Sequence, residues 1–311
     1  MFLADGANPN INTKTVARVR QLVKVYRLEG ILLFLALVLL LVGCGSKSQA
    51  TPQIGQHAYA QNGQLNYLLF LPQDYGKEKA EKWPLILFLH GIGERGDSLN
   101  DLDRLKVLGP PMIVEQQKDF PFIVVSPQCP TSSYWVERID DLKMLLDQIV
   151  MEYSVDKSRI FLTGISLGGW GTWHFALQYP DLFAAIVPIA GFNELYNNEV
   201  PENICDLKNL PTWVFHGAQD KTVPIGRAEV MVEALRDCGR DVLFTIYPNA
   251  KHDSWTETYS NKDLYAWLLQ QRNWKAVIKT NAWYIVGIFV IVSLVAIYLY
   301  LYKRGKGFQF R

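Results

Sequence analysis

Gly164-Ile165-Ser166-Leu167-Gly168 is the stretch of sequence that decides the fold. It follows a strand-like run over residues 159–163 and precedes a helix-like run over residues 170–179. A serine in a G-x-S-x-G pattern between a strand and a helix indicates a sharp turn that exposes its hydroxyl at the end of a sheet. Glycines flank the serine because side chains there would collide with the neighbouring strand and helix. Ser166 is therefore a candidate nucleophile if an acid and a histidine follow it.

Both partners follow, each in a loop after a strand-like apolar run. Asp220 lies in the loop after the run over residues 210–217, and His252 lies in the loop after the run over residues 241–248. A serine hydroxyl is a poor nucleophile at neutral pH, so a histidine must take its proton and a carboxylate must orient the histidine. The chain order Ser166, Asp220, His252 is typical of α/β-hydrolases and predicts a catalytic triad.

A glycine-rich loop upstream supplies the remaining part of such a site. The unbroken apolar run over residues 84–89 predicts a buried strand, and the loop over residues 90–96 follows it. A developing oxyanion needs backbone N–H donors, one of which is the amide after the nucleophile. We therefore predict Leu167 and Ile92 as the two donors, with Gly93 as the nearest alternative to Ile92.

Three other residues compete for the roles of base and acid. His90 and His216 both follow apolar strands and precede glycine, and we interpret them as structural histidines. Asp253 is a rival for the acid, but its position next to His252 directs its side chain elsewhere. His252 and Asp220 therefore remain the predicted pair.

Five stretches of this sequence resemble a family of α/β-hydrolase esterases. The family lies near the phospholipase/carboxylesterase, dienelactone-hydrolase and polyhydroxybutyrate-depolymerase groups, in a branch often labelled predicted peptidases. The matching stretches are residues 88–96, 126–130, 164–169, 213–220 and 252–255. The resemblance implies an α/β-hydrolase domain over residues 56–272. It departs from the dienelactone hydrolases proper at Ser166, because their nucleophile is cysteine.

Two tryptophans in loops near the predicted site are candidate substrate contacts. In the family, the tryptophan after the 126–128 stretch tends to face the acyl pocket, which points to Trp135. Trp255 lies close to His252 in sequence. For both side chains, packing in the core is the equally weighted alternative.

The order of predicted elements indicates the architecture. Strand-like and helix-like runs alternate, which favours a mostly parallel sheet with helices on both faces. The runs over residues 56–61 and 65–71 flank Asn62-Gly63, a strong signal for a two-residue hairpin at the start of the domain. Ser254 and Glu257 have the spacing of a capping box, which predicts the start of the last domain helix.

Composition excludes some function classes. The chain has 31 basic and 30 acidic residues, with no basic patch that would indicate a nucleic-acid partner. No His/Cys cluster has zinc spacing, so we predict neither a metal nor a cofactor. Outside the cytoplasm a disulfide is permitted, and Cys205 and Cys238 are the pair to test because they flank the Asp220 region. Cys129 is then a buried thiol.

The N-terminal segment, residues 1–44, has the features of a signal. Basic residues precede the uncharged apolar run over residues 31–42, which is too short to favour a spanning helix. The run ends in Leu41-Val42-Gly43-Cys44, which resembles a bacterial lipobox with Cys44 as the lipidated residue. An uncleaved anchor is the alternative. Residues 45–55 are rich in Ser, Gln, Thr, Pro and Gly and are interpreted as a linker.

The C-terminal segment is a second predicted membrane element. Residues 282–302 carry no charge and are long enough for a transmembrane helix, with aromatic residues toward both ends. Residues 273–281 then form a juxtamembrane linker and residues 303–311 a basic cytoplasmic tail. This arrangement predicts a bacterial membrane-anchored protein with its catalytic domain on the extracytoplasmic side.

The sequence as a whole predicts a membrane-anchored serine hydrolase that cleaves small-molecule or lipid-like carboxylic esters through an acyl-enzyme. A serine peptidase with the same triad is the alternative within this class. A degenerate hydrolase fold that acts as a binding module is the alternative from another class.

Overall fold

The computed structural model describes residues 53–60, 65–78, 80–193 and 199–306. Within these residues, eight strands form one sheet: β1 (Gly55–Tyr59), β2 (Tyr67–Leu71), β3 (Trp83–Leu89), β4 (Ile123–Pro127), β5 (Val155–Ile165), β6 (Ala185–Ile189), β7 (Trp213–Gly217) and β8 (Leu243–Tyr247). The α-helices are α1 (Gly109–Gln116), α2 (Ile139–Glu152), α3 (Leu167–Gln178), α4 (Gly226–Asp237), α5 (Trp255–Ser260), α6 (Lys262–Gln270) and α7 (Trp274–Lys306). Short 3-10 helices cover Ile92–Glu94, Leu99–Val107, Trp135–Glu137 and Ile204–Asn209.

The strands lie in the order β1-β2-β4-β3-β5-β6-β7-β8. β2 pairs antiparallel with β1 and with β4, and the pairs from β4 through β3 to β8 are parallel. The prediction of a mostly parallel central sheet is therefore confirmed. Because parallel strands end at one edge, the loops after β3, β5, β7 and β8 meet there.

Strand β3 shows why the sheet is covered on both faces. Leu85, Leu87 and Leu89 belong to one apolar cluster, whereas Ile86 and Phe88 belong to a second. Helices α2, α3 and α4 bury apolar residues in the first cluster, and α1 and α6 bury theirs in the second. Alternate residues of a strand point to opposite faces, so a strand buried on both faces is an unbroken apolar run.

The predicted transmembrane helix over residues 282–302 is wrong. The stretch is part of the continuous helix α7, which begins at Trp274 and includes charged positions such as Lys275. In the described part of the chain, no helix combines the length and the apolar character that crossing a bilayer requires. Lys275 instead pairs with the exposed Asp181 at 2.5 Å, so the start of the helix is joined to the surface of the domain.

Several predictions fall on residues that the structure does not describe. Residues 1–44 with Cys44, most of the linker over residues 45–55, and residues 307–311 of the predicted tail lie outside the described residues. The turn at Asn62-Gly63 does as well, although the strands on either side of it pair in antiparallel register.

Candidate active site

Ser166 lies on a strained turn between β5 and α3. Its backbone φ is 51° and its ψ is −113°, a conformation that residues other than glycine rarely adopt. Its main-chain N–H donates to the carbonyl of Ile189 at 2.9 Å. Gly168 passes so close to β3 that an added Cβ would lie 1.9 Å from the carbonyl oxygen of Leu89. Only glycine therefore fits at this position, as the G-x-S-x-G pattern indicated.

The structure brings the three predicted triad residues together from three strand ends. The Ser166 hydroxyl donates to Nε2 of His252 with Oγ and Nε2 2.9 Å apart. Nδ1 of His252 donates to Oδ2 of Asp220 at 2.7 Å. Both distances lie within the range expected of a nucleophile, a base and the group that orients the base. His252 keeps a partly exposed side chain, whereas that of Asp220 is fully buried.

Backbone donors fix the carboxylate of Asp220. Oδ1 accepts hydrogen bonds from the main-chain N–H groups of Thr222 and Val223, both at 2.9 Å. His216 lies on the other side, with its Nε2 3.3 Å from Oδ2 and donating to the carbonyl of Val223 at 2.8 Å. Burial lowers the pKa of His216, so it contacts Asp220 as a neutral ring. These contacts leave Oδ2 directed at His252.

Asp253, the alternative candidate for the acid of the triad, caps a helix instead. Asp253 accepts a hydrogen bond from the main-chain N–H of Thr256 at 3.0 Å and so caps the first turn of α5. The helix starts where predicted, but the capping side chain is that of Asp253. The Ser254 side chain makes no cap hydrogen bond.

The two predicted oxyanion donors follow the ends of neighbouring strands. Leu89 of β3 is paired with Gly164 of β5, so the loop after β3 and the turn after β5 leave the sheet side by side. Leu167 is the first residue of α3 and Ile92 the first of the 3-10 turn Ile92–Glu94. Amides at the start of a helical turn have no partner within it and can donate to a ligand. Their role as oxyanion donors stays a prediction that this placement favours.

His90 ties the oxyanion loop, residues 90–96 after β3, to the chain after β4. Its Nδ1 donates to the carbonyl of Gly91 at 2.6 Å, and its Nε2 accepts the main-chain N–H of Cys129 at 3.0 Å. Complete burial lowers the pKa of His90 to about 4, so the ring is neutral with its proton on Nδ1. Burial also raises the pKa of the Cys129 thiol to about 12. His90 and Cys129 are thus structural groups, as interpreted from the sequence.

The two predicted substrate contacts occupy different surroundings. Trp135 is fully buried, and its Nε1 donates to the carbonyl of His90 at 3.0 Å, behind the oxyanion loop. Trp255 is half-buried and meets the His252 ring edge-on, with ring centroids 5.2 Å apart. Trp135 therefore packs beneath the site, whereas Trp255 lies against the triad itself.

A group of aromatic rings lies beside the nucleophile elbow, the turn over residues 164–168 that carries Ser166, and was not predicted from the sequence. Trp170 lies one turn after Ser166 and stacks on Phe192 at 5.3 Å between centroids, with Tyr134 6.0 Å away on another side. The sequence contained a signal for this aromatic group, because Trp170 directly follows the glycines of the elbow. The two tryptophans predicted as substrate contacts lie in predicted loops before and after Trp170, and a tryptophan on a helix is more often part of the core.

A disulfide flanks the segment that carries the acid. Cys205 and Cys238 are bonded, with Cα atoms 5.3 Å apart, as proposed from the sequence. The bond joins the 3-10 helix Ile204–Asn209 to the residue that ends α4. Asp220 lies between the two cysteines in the chain, so the bond closes a loop around the acid.

Comparisons with known proteins confirm the predicted α/β-hydrolase fold. A family model described as phospholipase/carboxylesterase matches residues 120–263, which include Ser166, Asp220 and His252. A crystal structure of a thermostable esterase is 30% identical with a TM-score of 0.55, and the match covers 70% of this chain and 62% of that one.

Two relatives match by sequence. A Salmonella typhimurium protein whose name assigns it provisionally to the carboxymethylenebutenolidases is 32% identical over 100 residues, which is 31% of this chain and 37% of the relative. A bifunctional acetylxylan esterase/xylanase from Neocallimastix patriciarum is 25% identical over 193 residues, which is 59% of this chain and 26% of the relative. The chain thus spans little more than a third of the first relative's length and about a quarter of the second's. These similarities confirm the resemblance to the α/β-hydrolase esterases.

Proposed function

We propose that this chain, which belongs to the α/β-hydrolase esterases, is a serine hydrolase that cleaves carboxylic esters through an acyl-enzyme. The observation that carries the proposal is the relay from Ser166 Oγ to His252 at 2.9 Å and from His252 to Asp220 at 2.7 Å. A relay with this order and these distances is what activation of a serine hydroxyl requires.

The geometry supports the following sequence of steps. Ser166 Oγ attacks the ester carbonyl carbon while His252 Nε2 takes the hydroxyl proton, and Asp220 stabilises the resulting imidazolium. The N–H groups of Leu167 and Ile92 donate to the oxyanion of the tetrahedral intermediate. His252 then gives its proton to the leaving alkoxide, and the acyl group stays on Ser166. A water molecule, activated by His252, releases the acid and restores the serine.

Labelling by a fluorophosphonate probe and hydrolysis of p-nitrophenyl acetate test this proposal. The wild-type protein should react with the probe, and Ser166→Ala should lose labelling and about 10⁴-fold or more in kcat. Ser260→Ala is a matched control, because that exposed serine hydroxyl donates only to the carbonyl of Thr256. A wild-type protein that neither labels nor hydrolyses esters would favour the binding-module alternative.

The choice of ester over amide needs its own measurement. A panel of p-nitrophenyl esters of graded chain length, acetylated xylan and short peptides separates the possibilities. The xylan arm follows from the Neocallimastix patriciarum relative, whose name includes acetylxylan esterase. Cleavage of peptides at rates far above ester hydrolysis would overturn the ester proposal in favour of the peptidase.

We also propose that the domain works outside the cytoplasm and is tethered through a lipid on Cys44. Support comes from the bond between Cys205 and Cys238, since disulfides persist in oxidising compartments. Mass spectrometry of the mature protein should find Cys44 as a lipid-modified N-terminal residue and the disulfide intact. An unmodified Cys44 within an uncleaved N-terminal segment, or reduced Cys205 and Cys238, would contradict this.

A further inference from the structure

Gln128 belongs to a stretch that the family resemblance singled out but that the ester mechanism does not use. It directly follows β4 and is 2% exposed. Its main-chain N–H donates to the carbonyl of Asn66 at 2.8 Å, and this bond fixes the backbone from which the side chain extends. Its side-chain Nε2 donates to the carbonyl of Glu94 at 2.9 Å and to the carbonyl of Asp101 at 2.8 Å.

The orientation of this amide follows from its partners. Both partners are carbonyl oxygens, so only the NH₂ group of Gln128 can face them. The amide has two N–H donors, and both are used. A side chain that lacked them would leave two partly buried carbonyls without these bonds, which would destabilise the folded loop.

The two carbonyls lie before and after Gly96, which is the last residue of the oxyanion loop. Glu94 is the last residue of the 3-10 turn that begins with Ile92, and Asp101 lies in the 3-10 helix Leu99–Val107. Gly96 passes between them, where an added Cβ would lie 2.7 Å from Gln128 Nε2 and 2.3 Å from Asp101 Cβ. The loop is therefore wrapped tightly around the Gln128 amide.

We propose that Gln128 is a positioning residue that holds the Ile92 amide where the oxyanion forms. This rests on the proposed function. A 3-10 turn of three residues has few hydrogen bonds of its own, so contacts from outside determine where it lies. Oxyanion donors must lie about 2.7–3.1 Å from the oxygen in the transition state. A loosened turn weakens transition-state binding more than substrate binding, so the effect falls on kcat rather than on KM.

Gln128→Met tests the proposal, because methionine keeps the length of the side chain and removes both donors. We expect kcat for p-nitrophenyl acetate to fall about 10-fold to 100-fold, with KM within about threefold of the wild-type value. Inhibition by a trifluoromethyl ketone, whose adduct places an oxyanion in the same position, should weaken by the same factor. Inhibition by the product acid, a ground-state ligand, should not change.

Asn273→Leu is the matched control for lost stability. The buried Asn273 amide donates to the carbonyl of Asp181 at 2.7 Å, and its main-chain N–H donates to Ser158, near the opposite end of β5 from Ser166. This variant should lower Tm and leave kcat and inhibitor binding unchanged. A fall in kcat as large as that of Gln128→Met would show that general destabilisation explains both, and would overturn the proposal.

Gly96→Ala displaces the same contact from the other side and keeps the test valid if Gln128→Met does not fold. Its kcat and its inhibition by the trifluoromethyl ketone should fall together, as for Gln128→Met. If the folded variants keep both quantities within twofold of wild type, Gln128 has no positioning role. Wild-type protein that hydrolyses no ester and does not label would instead overturn the proposed function.

Discussion

The nucleophile elbow and the oxyanion loop leave neighbouring strands side by side, yet they are held by different interactions. At the elbow, backbone meets backbone: Gly168 packs against the carbonyl of Leu89, and the N–H of Ser166 donates to Ile189. In the oxyanion loop, the buried side chains of His90 and Gln128 hold the chain by hydrogen bonds.

The difference decides what each region tolerates. A backbone contact at van der Waals distance permits no side chain, so the elbow depends on glycine at fixed positions. Buried hydrogen bonds permit no loss of a donor or acceptor, so the loop depends on the protonation and identity of polar groups. Substitutions that add atoms should break the elbow, and changes of polarity or pH should break the loop.

Gly168→Ala should have the largest effect, because its Cβ would lie 1.9 Å from the Leu89 carbonyl oxygen. Forcing β3 and α3 apart should cost on the order of 4 kcal/mol in unfolding free energy and about 100-fold or more in kcat. Urea denaturation and ester hydrolysis measure the two. Gly226→Ala is the control, since the nearest atom to its added Cβ is 3.9 Å away. Equal stability of the two variants would show that the elbow is not held by close backbone contact.

A covalent bond holds the region between Cys205 and Cys238, which are 33 positions apart and enclose Asp220. Replacing both cysteines by serine should lower the unfolding free energy by about 3–4 kcal/mol, mainly because the unfolded chain gains freedom. The folded geometry at His252 should survive, so kcat at 25 °C should change little. A large loss of kcat without loss of Tm would mean that the bond positions the acid directly.

The protein should lose stability in acid because His90, which holds the oxyanion loop, becomes protonated. Unfolded histidine binds a proton below about pH 6.5, whereas buried His90 does so only near pH 4. Stability is therefore fully present above pH 6.5 and falls by about 3 kcal/mol as the pH drops to 4. The lowered pKa of His216 acts in the same direction.

His90→Gln checks this prediction, since glutamine does not titrate. Urea midpoints between pH 7.5 and pH 4.5 should fall less steeply for this variant than for wild type. His57→Gln, a change at a half-buried histidine whose ring bonds the carbonyl of Ile54, should keep the steep fall. If both variants match the wild-type slope, protonation of His90 does not govern acid stability.

The contrast between elbow and loop also explains what could be predicted from the sequence. The requirement for glycine at the elbow is local and steric, so the five residues over 164–168 are enough to predict it. The triad follows from chain order, because Asp220 and His252 each come after a strand of a parallel sheet. The Gln128 contacts could not be predicted, since they join residues 27 and 34 positions apart. Hydrogen bonds of that range depend on where the sheet places the loops.

Two other differences have local causes. At the last domain helices, Ser254 matched the pattern of a capping box, yet the neighbouring Asp253 reaches the free N–H instead. Adjacent residues of the same capping type cannot be separated by pattern alone. In the C-terminal segment, the uncharged run over residues 282–302 was treated as an independent span. The structure joins it to the basic residues before it in one helix, α7.

The smallest effect concerns strain, which the elbow stores in its backbone. Among the described non-glycine residues, Ser166 and Ala190 alone have positive φ, and Ala190 directly follows β6. Such a conformation costs about 1–3 kcal/mol for a residue with a side chain, and glycine avoids it at the expense of a more flexible unfolded chain. Ser166→Gly should therefore be about 1 kcal/mol more stable than Ser166→Ala in urea denaturation. Both variants lack the hydroxyl that donates to His252, so the difference between them isolates the strain. Equal midpoints would mean that the strain at Ser166 is relieved elsewhere, and that the two regions differ only in the contacts that hold them.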